Sequence, residues 1–544
     1  MATLAVLAIV ASVEQSGRGQ LAVFLLLSTN YLAIVVSTRR VITCSATLIA
    51  LLAALRFADQ TKYAAFHEHI HFIDLISLLE YVKTGSILLI RQYSGPLLVY
   101  GSGIVAGILA LLILARIEGR KFPSTPPRGF VRAAVVSLAV ANVVVYVTGN
   151  WFYSASNHYV LGRMKVAGLT TTSHVLASIG DYIKIKNEGL LPQSGTPAGA
   201  ALAAPAPIAG GCQNCADVVI VHLESVFDPS LMAAFAGNSM FDHFGDRLTA
   251  RSGALLVRVL AGYSALSEFS FNCGVDSRIF GIAGQVPNLF LAPLTKRCAA
   301  RHFKAMGYDT EVVSSIAPAL SGYGATYKAY GFDRYYQPGD FGIPKDWWEM
   351  RDTYFVGAAE QRLAEPRDKP LLLMLLTAYN HGPHGKWWHS PKEVFTGPYD
   401  SRRAGLDERE ADYVNRLNDS ITAFKRLEQF IADRKRPTLI IYYGDHQPYF
   451  VVGFDKAAKD RFGDGVRYVT GFRVARNFDV NRPVDMPDQP MTIERLWPYG
   501  LRFAGMRPTP AQARIADVTA SCGTDQNECS PTVKAELKRV LATP

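Results

Sequence analysis

What most constrains this chain is where its charges are missing. Five stretches carry no Asp, Glu, Lys or Arg: Met1 to Val13, Gly19 to Thr38, Val41 to Leu55, Gln92 to Ala115 and Ala133 to Gly162. Nothing after Gly162 is long and apolar enough to span a bilayer. About 20 apolar residues cross the hydrocarbon core; the second, fourth and fifth stretches reach that length, and the first and third are short. The sequence therefore predicts an α-helical transmembrane domain of about five spans over residues 1–155. A secretory signal peptide is the rival reading of Met1 to Val13, but that segment lacks a basic n-region and a second span follows almost at once.

Charge then orients the spans. Of the net +10, residues 1–150 hold twelve Lys/Arg against six Asp/Glu, which leaves +4 to the remaining 394 residues. Seven of those basic residues sit in two short loops, Arg39 and Arg40, then Arg116, Arg120, Lys121, Arg128 and Arg132. Basic loops stay cytoplasmic, so everything after about Phe152 belongs on the outer face. The basic balance thus sets topology and does not point to nucleic acid. The outer segment Phe57 to Arg91 contains an amphipathic pattern over His71 to Ile90, read as an interfacial helix. The His67 to His71 run before it suits a metal or, more simply, a solvated patch.

Cysteine usage agrees with an outer location. Cys44 falls in a predicted span, while Cys212, Cys215, Cys273, Cys298, Cys522 and Cys529 form an even set beyond it, the pattern of disulfides in an oxidising compartment. Proximity in sequence favours 212 with 215, 273 with 298 and 522 with 529. A redox or zinc role for Cys212-x-x-Cys215 is the alternative, though no second Cys-x-x-Cys is present. The Ala/Pro/Gly-rich run Gly195 to Gly211 marks a boundary. Residues 156–211 read as a juxtamembrane helix (Met164 to Asn187) and linker, and 212–544 as an extracytoplasmic domain.

In that domain Val218 to Leu223, Leu371 to Thr377 and Thr438 to Tyr443 are near-continuous apolar runs, as strands buried on both faces require. Asp407 to Arg434 lies between the last two, with Tyr413, Leu417, Ile421, Phe424, Leu427 and Ile431 at helical spacing. Strand, helix, strand predicts an α/β domain with a mainly parallel sheet. Ligands of such sheets bind beyond the carboxyl ends of the strands. Those ends read Glu224-Ser225, Asn380-His381-Gly382-Pro383-His384 and Gly444-Asp445-His446. Carboxylates and imidazoles converging there form a divalent-metal ligand set. A turn at Gly262 adds Ser264 near a helix start, where coordination would lower the hydroxyl's pKa and make it a nucleophile. The simpler reading of Ser264 is an N-cap.

Leu223-Glu224-Ser225, Gly262-Tyr263-Ser264 with Ser267-Glu268-Phe269, Asn380-His381-Gly382-Pro383, Tyr413-x-Asn415 with Asn418-Asp419, and Tyr443-Gly444-Asp445-His446 stand in an order that resembles the lipoteichoic acid synthase and phosphoglycerol transferase group of the alkaline phosphatase/sulfatase superfamily. The resemblance implies an alkaline-phosphatase-like fold and one divalent metal, manganese by preference with zinc or magnesium as alternatives, held by Glu224, Ser264, Asp445 and His446. It also implies Ser264 as nucleophile, in place of the usual threonine, and His381 in the substrate pocket. The implied reaction moves glycerol phosphate from phosphatidylglycerol, through a covalent phosphoserine, to a periplasmic or surface glycan. The implied setting is a bacterial inner membrane, multi-pass, with the catalytic domain outside.

One departure concerns the donor. Relatives that handle glycerol phosphate carry a Trp-x-Arg before Tyr327-Lys328 and Gly331-Phe332-Asp333; this chain reads Ser321-Gly322-Tyr323 there and lacks the arginine. His384, Lys386 or Tyr323 would then hold the phosphate. A phosphoethanolamine transferase using phosphatidylethanolamine to modify lipid A or a glycan is the alternative, although Phe269-Ser270-Phe271-Asn272-Cys273 departs from the stretch usual in those relatives. A catalytically silent, membrane-tethered binding module is the third reading. A true sulfatase is disfavoured, because it needs Cys/Ser-x-Pro-x-Arg and the nearest Cys-to-Arg run, Cys298-Ala299-Ala300-Arg301, lacks it.

Overall fold

The computed structural model describes residues 17–66, 70–72, 74, 94–121, 129–148, a few positions between 159 and 187, and 215–542 except 261, 317, 319–321, 344–349, 383, 386–390, 449, 451, 482–483, 488, 521 and 523–524. The chain divides into two compact units, residues 1–189 and 190–544.

Among the described residues the first unit holds four long helices, α1 (Gly17–Thr38), α2 (Val41–Phe66), α3 (Ser94–Lys121) and α4 (Gly129–Thr148). Helix α1 packs on α4, and α2 on α3. Their outer surfaces are lined with large apolar side chains, among them Leu51 at 63%, Leu112 at 61% and Leu138 at 60% exposure. A contiguous apolar surface of that kind marks a partner or a membrane. Among the described residues one segment, Val41–Gln60, is long and apolar enough to cross a bilayer by length and composition, with mean hydropathy 2.0. This corrects the reading of Val41 to Leu55 as a short stretch, because α2 runs past Leu55 to Phe66. Met1 to Val13 lies outside the described residues, and five spans are not all accounted for. Helix α4 ends at Thr148; Tyr159–Val160 and Arg163–Met164 then pair as a short antiparallel ladder. Met164 is therefore in a strand and not in the expected juxtamembrane helix. Of the His67 to His71 run, Ile70 and His71 are described, both buried, with the Ile70 amide donating to Asp59 Oδ1 at 2.8 Å.

Arg40 meets the end of α3, where a Cβ on Gly119 would lie 3.4 Å from its guanidinium. Glu118, near the end of α3, accepts the backbone N–H of Ile42 and of Thr43 at 2.8 Å each and the Thr43 hydroxyl at 2.6 Å. It satisfies orphan amides in the first turn of α2, where a carboxylate also faces the positive helix end. Arg39 and Arg40 thereby lie beside the Arg116 to Lys121 end of α3.

The second unit is built on an eight-stranded sheet: β1 (Asp217–Leu223), β2 (Thr249–Leu256), β3 (Asp309–Ser314), β4 (Arg334–Tyr336), β5 (Leu371–Leu376), β6 (Thr438–Gly444), β7 (Val469–Arg476) and β8 (Met491–Thr492), in the spatial order β8-β2-β7-β6-β1-β5-β3-β4. Only β7 runs against the others, pairing antiparallel with β2 and β6. Strands β1, β5 and β6, adjacent at the centre, are buried along their whole length, which is why they read as continuous apolar runs. The long crossover from β5 to β6 is carried by α7 (Glu408–Asp433); the shorter α5 (Ser264–Cys273) and α6 (Asp352–Ala364) precede it. Asp407 caps α7, accepting from the amides of Arg409 and Glu410, while the Glu410 carboxylate accepts from the Asp407 amide. That reciprocal box fixes the helix start, and the six expected apolar positions from Tyr413 to Ile431 are all buried against the sheet. Cys273 is bonded to Cys298 and Cys522 to Cys529. Cys215 is also in a disulfide, and Cys212 lies outside the described residues.

Candidate active site

The carboxyl ends of β1, β6 and β2 bring Glu224, Asp445-His446 and Ser264 to one edge of the sheet. Each is placed by a local constraint. Gly444 leaves β6 so close to the next segment that a Cβ would lie 1.9 Å from the Val226 carbonyl oxygen; only glycine fits there. Ser225 holds a left-handed backbone, φ 56°, a conformation that costs about 1–3 kcal/mol in a non-glycine residue. It is retained because the Ser225 amide donates to Asp445 Oδ1 at 2.8 Å and its hydroxyl to Glu224 Oε1 at 2.9 Å. The Glu224 amide donates to the Thr377 hydroxyl, which donates to the His222 carbonyl, tying β1 to the end of β5. Leu260 and Gln447 form a parallel bridge that sets the Gly262 turn beside His446.

Ser264 is the first residue of α5. Tyr263 stands at the cap position without a side-chain cap bond, so the Ser264 hydroxyl is not occupied in capping. It donates to Glu224 Oε2 at 3.1 Å and lies 3.3 Å from His446 Nε2. The His446 tautomer follows from its partners: Nδ1 lies 2.9 Å from the Gln447 carbonyl and must carry the proton, and Nε2 accepts the Gly262 amide at 3.1 Å. Its single Nε2 lone pair is taken by the Gly262 amide, a bond that coordination of a cation would replace.

The donor set fits a divalent cation. Asp445 Oδ1 accepts the amides of Ser225 and His446, but Oδ2 has no hydrogen-bond partner although it is fully buried. An unpaired buried carboxylate oxygen is costly. It faces imidazole nitrogens of His446 and His222, each at 3.3 Å, and the ligand atoms of His222, Glu224 and Asp445 lie within 4.8 Å of one another. Burial works against a charged His222, but Asp445, with help from Glu224, outweighs it and raises the imidazole to about 10. Two buried carboxylates thus create a field that favours positive charge, which either a protonated His222 or a divalent cation would answer.

His222 was not among the expected residues. The signal was present: His222 and Glu224 are two apart at a strand end and share a face, but the strand reads as an apolar run. Behind the site, Glu268, one turn after Ser264 on α5, accepts the hydroxyls of Tyr327 at 2.8 Å and Tyr323 at 3.3 Å. Burial, reinforced by Asp445 and Glu224, pushes Glu268 up to about 7 against the pull of His222 and the Tyr327 hydroxyl. Ser267 donates to the Asp445 carbonyl at 2.6 Å, pinning α5 to the end of β6.

The expected substrate residues are placed less uniformly. His381 is exposed on the loop after β5, close enough for its charge to act on Glu224; its carbonyl and that of Tyr379 accept from the buried Arg416, itself paired with Asp412. Tyr323 is nearly buried and turned to Glu268. His384 is buried between the rings of Tyr413 and Phe450, with Nε2 on the Asn380 carbonyl. Burial and the Arg416 charge hold it well below the usual histidine range, so it is neutral. Its Nδ1 is buried without a hydrogen-bond partner. Lys386 lies outside the described residues.

Comparison with known proteins matches residues 216–464 to the family described as Sulfatase. Over 277 residues, 48% of the chain, the sequence is 28% identical to an uncharacterized protein of Haemophilus influenzae, and the chain spans about half (49%) of that relative's length. Similar solved structures include the Streptococcus pyogenes phosphoglycerol transferase GacH in complex with sn-glycerol-1-phosphate, at 13% identity over 66% of this chain and 89% of that one, TM-score 0.43. Another is the integral membrane lipooligosaccharide phosphoethanolamine transferase EptA of Neisseria meningitidis, at 11% identity over 93% of this chain and 99% of that one, TM-score 0.45. The matched segment, residues 216–464, runs from the start of β1 past the Asp445-His446 edge, so the similarity to the Sulfatase family covers Glu224, Ser264, Asp445 and His446.

Proposed function

We propose that this protein is a metal-dependent phospholipid headgroup transferase, and the observation that carries the reading is Ser264. Its hydroxyl is free of capping, stands at the positive end of α5 and is held between Glu224 and His446. Glu224, Ser264, Asp445 and His446 would hold a divalent cation, which when bound supplies the Lewis acidity that lowers the hydroxyl's pKa.

Ser264 Oγ attacks the phosphorus of phosphatidylglycerol, and the bond from phosphorus to the diacylglycerol oxygen breaks. The serine proton leaves along its hydrogen bond to Glu224; His381 protonates the departing oxygen. Glycerol phosphate then remains esterified to Ser264. A glycan hydroxyl attacks the same phosphorus, His381 takes its proton, and Ser264 recovers its own. Dividing one displacement into two is the purpose of the covalent step. The apolar helix surfaces of the first unit support a multi-pass anchor, which brings the site to its lipid donor. In this reading residues 1–155 lie in a bacterial inner membrane and 212–544 on the periplasmic side.

Phosphoethanolamine transfer is the second reading, favoured by the absence of the phosphate-holding arginine before Tyr327. One experiment separates the two. The detergent-purified protein is incubated with manganese and either phosphatidylglycerol or phosphatidylethanolamine, trapped, and the peptide containing Ser264 weighed. A glycerol-phosphate adduct supports the first reading and an ethanolamine-phosphate adduct the second. No adduct with either lipid rules out the covalent mechanism.

A further inference from the structure

Helix α7 carries a second buried row beside its apolar one. Asp412, Arg416 and Ser420 stand four residues apart, each one residue before Tyr413, Leu417 and Ile421, so they form a ridge along one side of the helix. All three are buried, Arg416 to 2% exposure. A guanidinium taken out of water at that depth is costly unless it is paired and its N–H groups are met. Asp412 supplies the pairing as a fork: Arg416 Nε donates to Asp412 Oδ1 at 3.1 Å and Nη2 to Oδ2 at 2.8 Å.

The remaining bonds of the pair go to one place. Arg416 Nη1 donates to the carbonyls of Tyr379 and His381, at 3.3 Å each, and Asp412 Oδ2 accepts the Gly385 amide at 2.9 Å. All three of these partners lie on the loop that follows β5. Gly385 has φ 90° there, a conformation open to glycine. One turn further along α7, the Ser420 hydroxyl accepts the Asn380 side-chain amide at 2.7 Å and donates to Asp352 Oδ2 at 2.6 Å. The neighbouring Asn415 and Asn418 treat a later part of the same connection alike, accepting the amides of Phe395 and Tyr399. The loop in turn sets the His381 ring. Its Nδ1 lies 2.5 Å from the Gly382 carbonyl, which can only accept, so Nδ1 carries the proton in the neutral ring and Nε2 is the basic nitrogen.

We propose that the buried Arg416–Asp412 pair is a positioning device for His381, a template on α7 that fixes the loop carrying it and so presents Nε2 to the reacting oxygens. The functional half of this rests on the acid–base role of His381 in the proposed reaction. Neither Arg416 nor Asp412 touches substrate; both act through the loop. Lysine is not an equal replacement for the arginine, since a point charge lacks the fork that reaches Asp412 and two carbonyls at once.

Removing Arg416 alone would strand a buried carboxylate, so the pair is replaced together. Asp412→Leu with Arg416→Met exchanges a buried ion pair for apolar groups, which is often neutral or stabilising; a melting temperature near the parent's shows that the variant is folded. In the full chain in detergent, hydrogen exchange of peptides covering 378–385 is expected to rise while that of β5 stays as in the parent. With phosphatidylglycerol or phosphatidylethanolamine, whichever turns over, kcat for headgroup release should fall by about 10- to 100-fold and KM stay within about twofold, as for a catalytic group displaced by about 1 Å. In a His381→Ala background the same two substitutions should add little, because the template has nothing left to position. Arg416→Lys should lie between parent and double variant in both measurements, and it serves alone if the double variant does not fold. Unchanged exchange of 378–385 in a folded variant overturns the proposal, and so does a loss of kcat that repeats in full in the His381→Ala background. Full turnover by His381→Ala itself would instead remove the acid–base role of His381, leaving the exchange measurement to decide whether the pair holds the loop.

Discussion

Glu118 in the helical unit and Asp445 in the sheet unit are both buried carboxylates, and they are treated in opposite ways. Every lone pair that Glu118 directs at α2 is met, by two amides and a hydroxyl. Asp445 spends one oxygen on two amides and leaves the other, Oδ2, without a partner and within 3.3 Å of two imidazoles. A carboxylate whose hydrogen bonds close within the fold is structural. One left half open in a fully buried site suits something the fold does not supply, as the proposed cation would be. The apolar residues make the same division: Leu51 of α2 is 63% exposed, whereas Leu373 of β5 is wholly buried. Similar hydrophobicity is left on the surface in one unit and closed into a packed core in the other.

The sharpest test of this contrast acts on the open carboxylate and the hydroxyl beside it. Ser264→Ala and Asp445→Asn should each reduce headgroup release from phospholipid by about a thousandfold or more. The melting temperature of Ser264→Ala should stay near that of the parent, since Ser264 caps nothing. Full turnover by Ser264→Ala would disprove the nucleophile, and an Asp445→Asn protein that kept both activity and metal would disprove the reading of Oδ2. Somewhat smaller is the effect expected of His222→Asn: a 10- to 100-fold loss of metal affinity, typical of groups that orient or supplement ligands. It is measured by competition with a chelator and followed through the metal-dependent rise in melting temperature. Unaltered affinity would reduce His222 to a packing residue.

How much of this was legible in the sequence follows from the range of the forces involved. The central strands, α7 and its Asp407 start could be read, because burial on both faces and a cap written within four residues are local patterns. Glu224, Asp445 and His446 were legible as strand-end residues once a parallel sheet was inferred. His222 was not, since its partner Tyr443 is 221 residues away and the histidine sits inside an apolar run. Nor was the role of Glu268, whose tyrosine partners come from a separate helix 55 and 59 residues on. For His384 the strand-end position was legible, but its packing between Tyr413 and Phe450 depends on α7 and on a loop after β6 that no local pattern announces. Val41 to Leu55 read as too short because charge was used as its boundary; Arg56 and Asp59 are carried within the helix.

The apolar contrast is tested by making one substitution in both units. Leu373→Ala removes a side chain from a filled core and should cost about 2–5 kcal/mol, read as a clear fall in the melting temperature of the catalytic unit. Leu51→Ala, on a surface that faces detergent or lipid, should change stability by about 0.5 kcal/mol or less. Equal losses would mean that α2 is covered by protein, and the anchor reading would fail. Leu51→Arg separates lipid from water as the solvent of that face: at the centre of a span a charge costs about 2.5–3.5 kcal/mol on insertion, so membrane-integrated protein should decline, whereas a water-facing site would accept arginine without loss.

The smallest expected effect belongs to Glu118, and it completes the comparison. Glu118→Ala strips the first turn of α2 of its acceptor, leaving the Ile42 and Thr43 amides to water or headgroups. Loss of a helix cap costs about 0.5–2 kcal/mol, and here it would also loosen the contact that holds the Arg39-Arg40 loop beside the end of α3. The expected result is a modest fall in the melting temperature of the detergent-solubilised protein, with headgroup release per folded molecule unchanged, because a carboxylate satisfied within the fold has no part in the chemistry. Loss of turnover with an unchanged melting temperature would mean that the satisfied and the half-open carboxylate do not differ in kind.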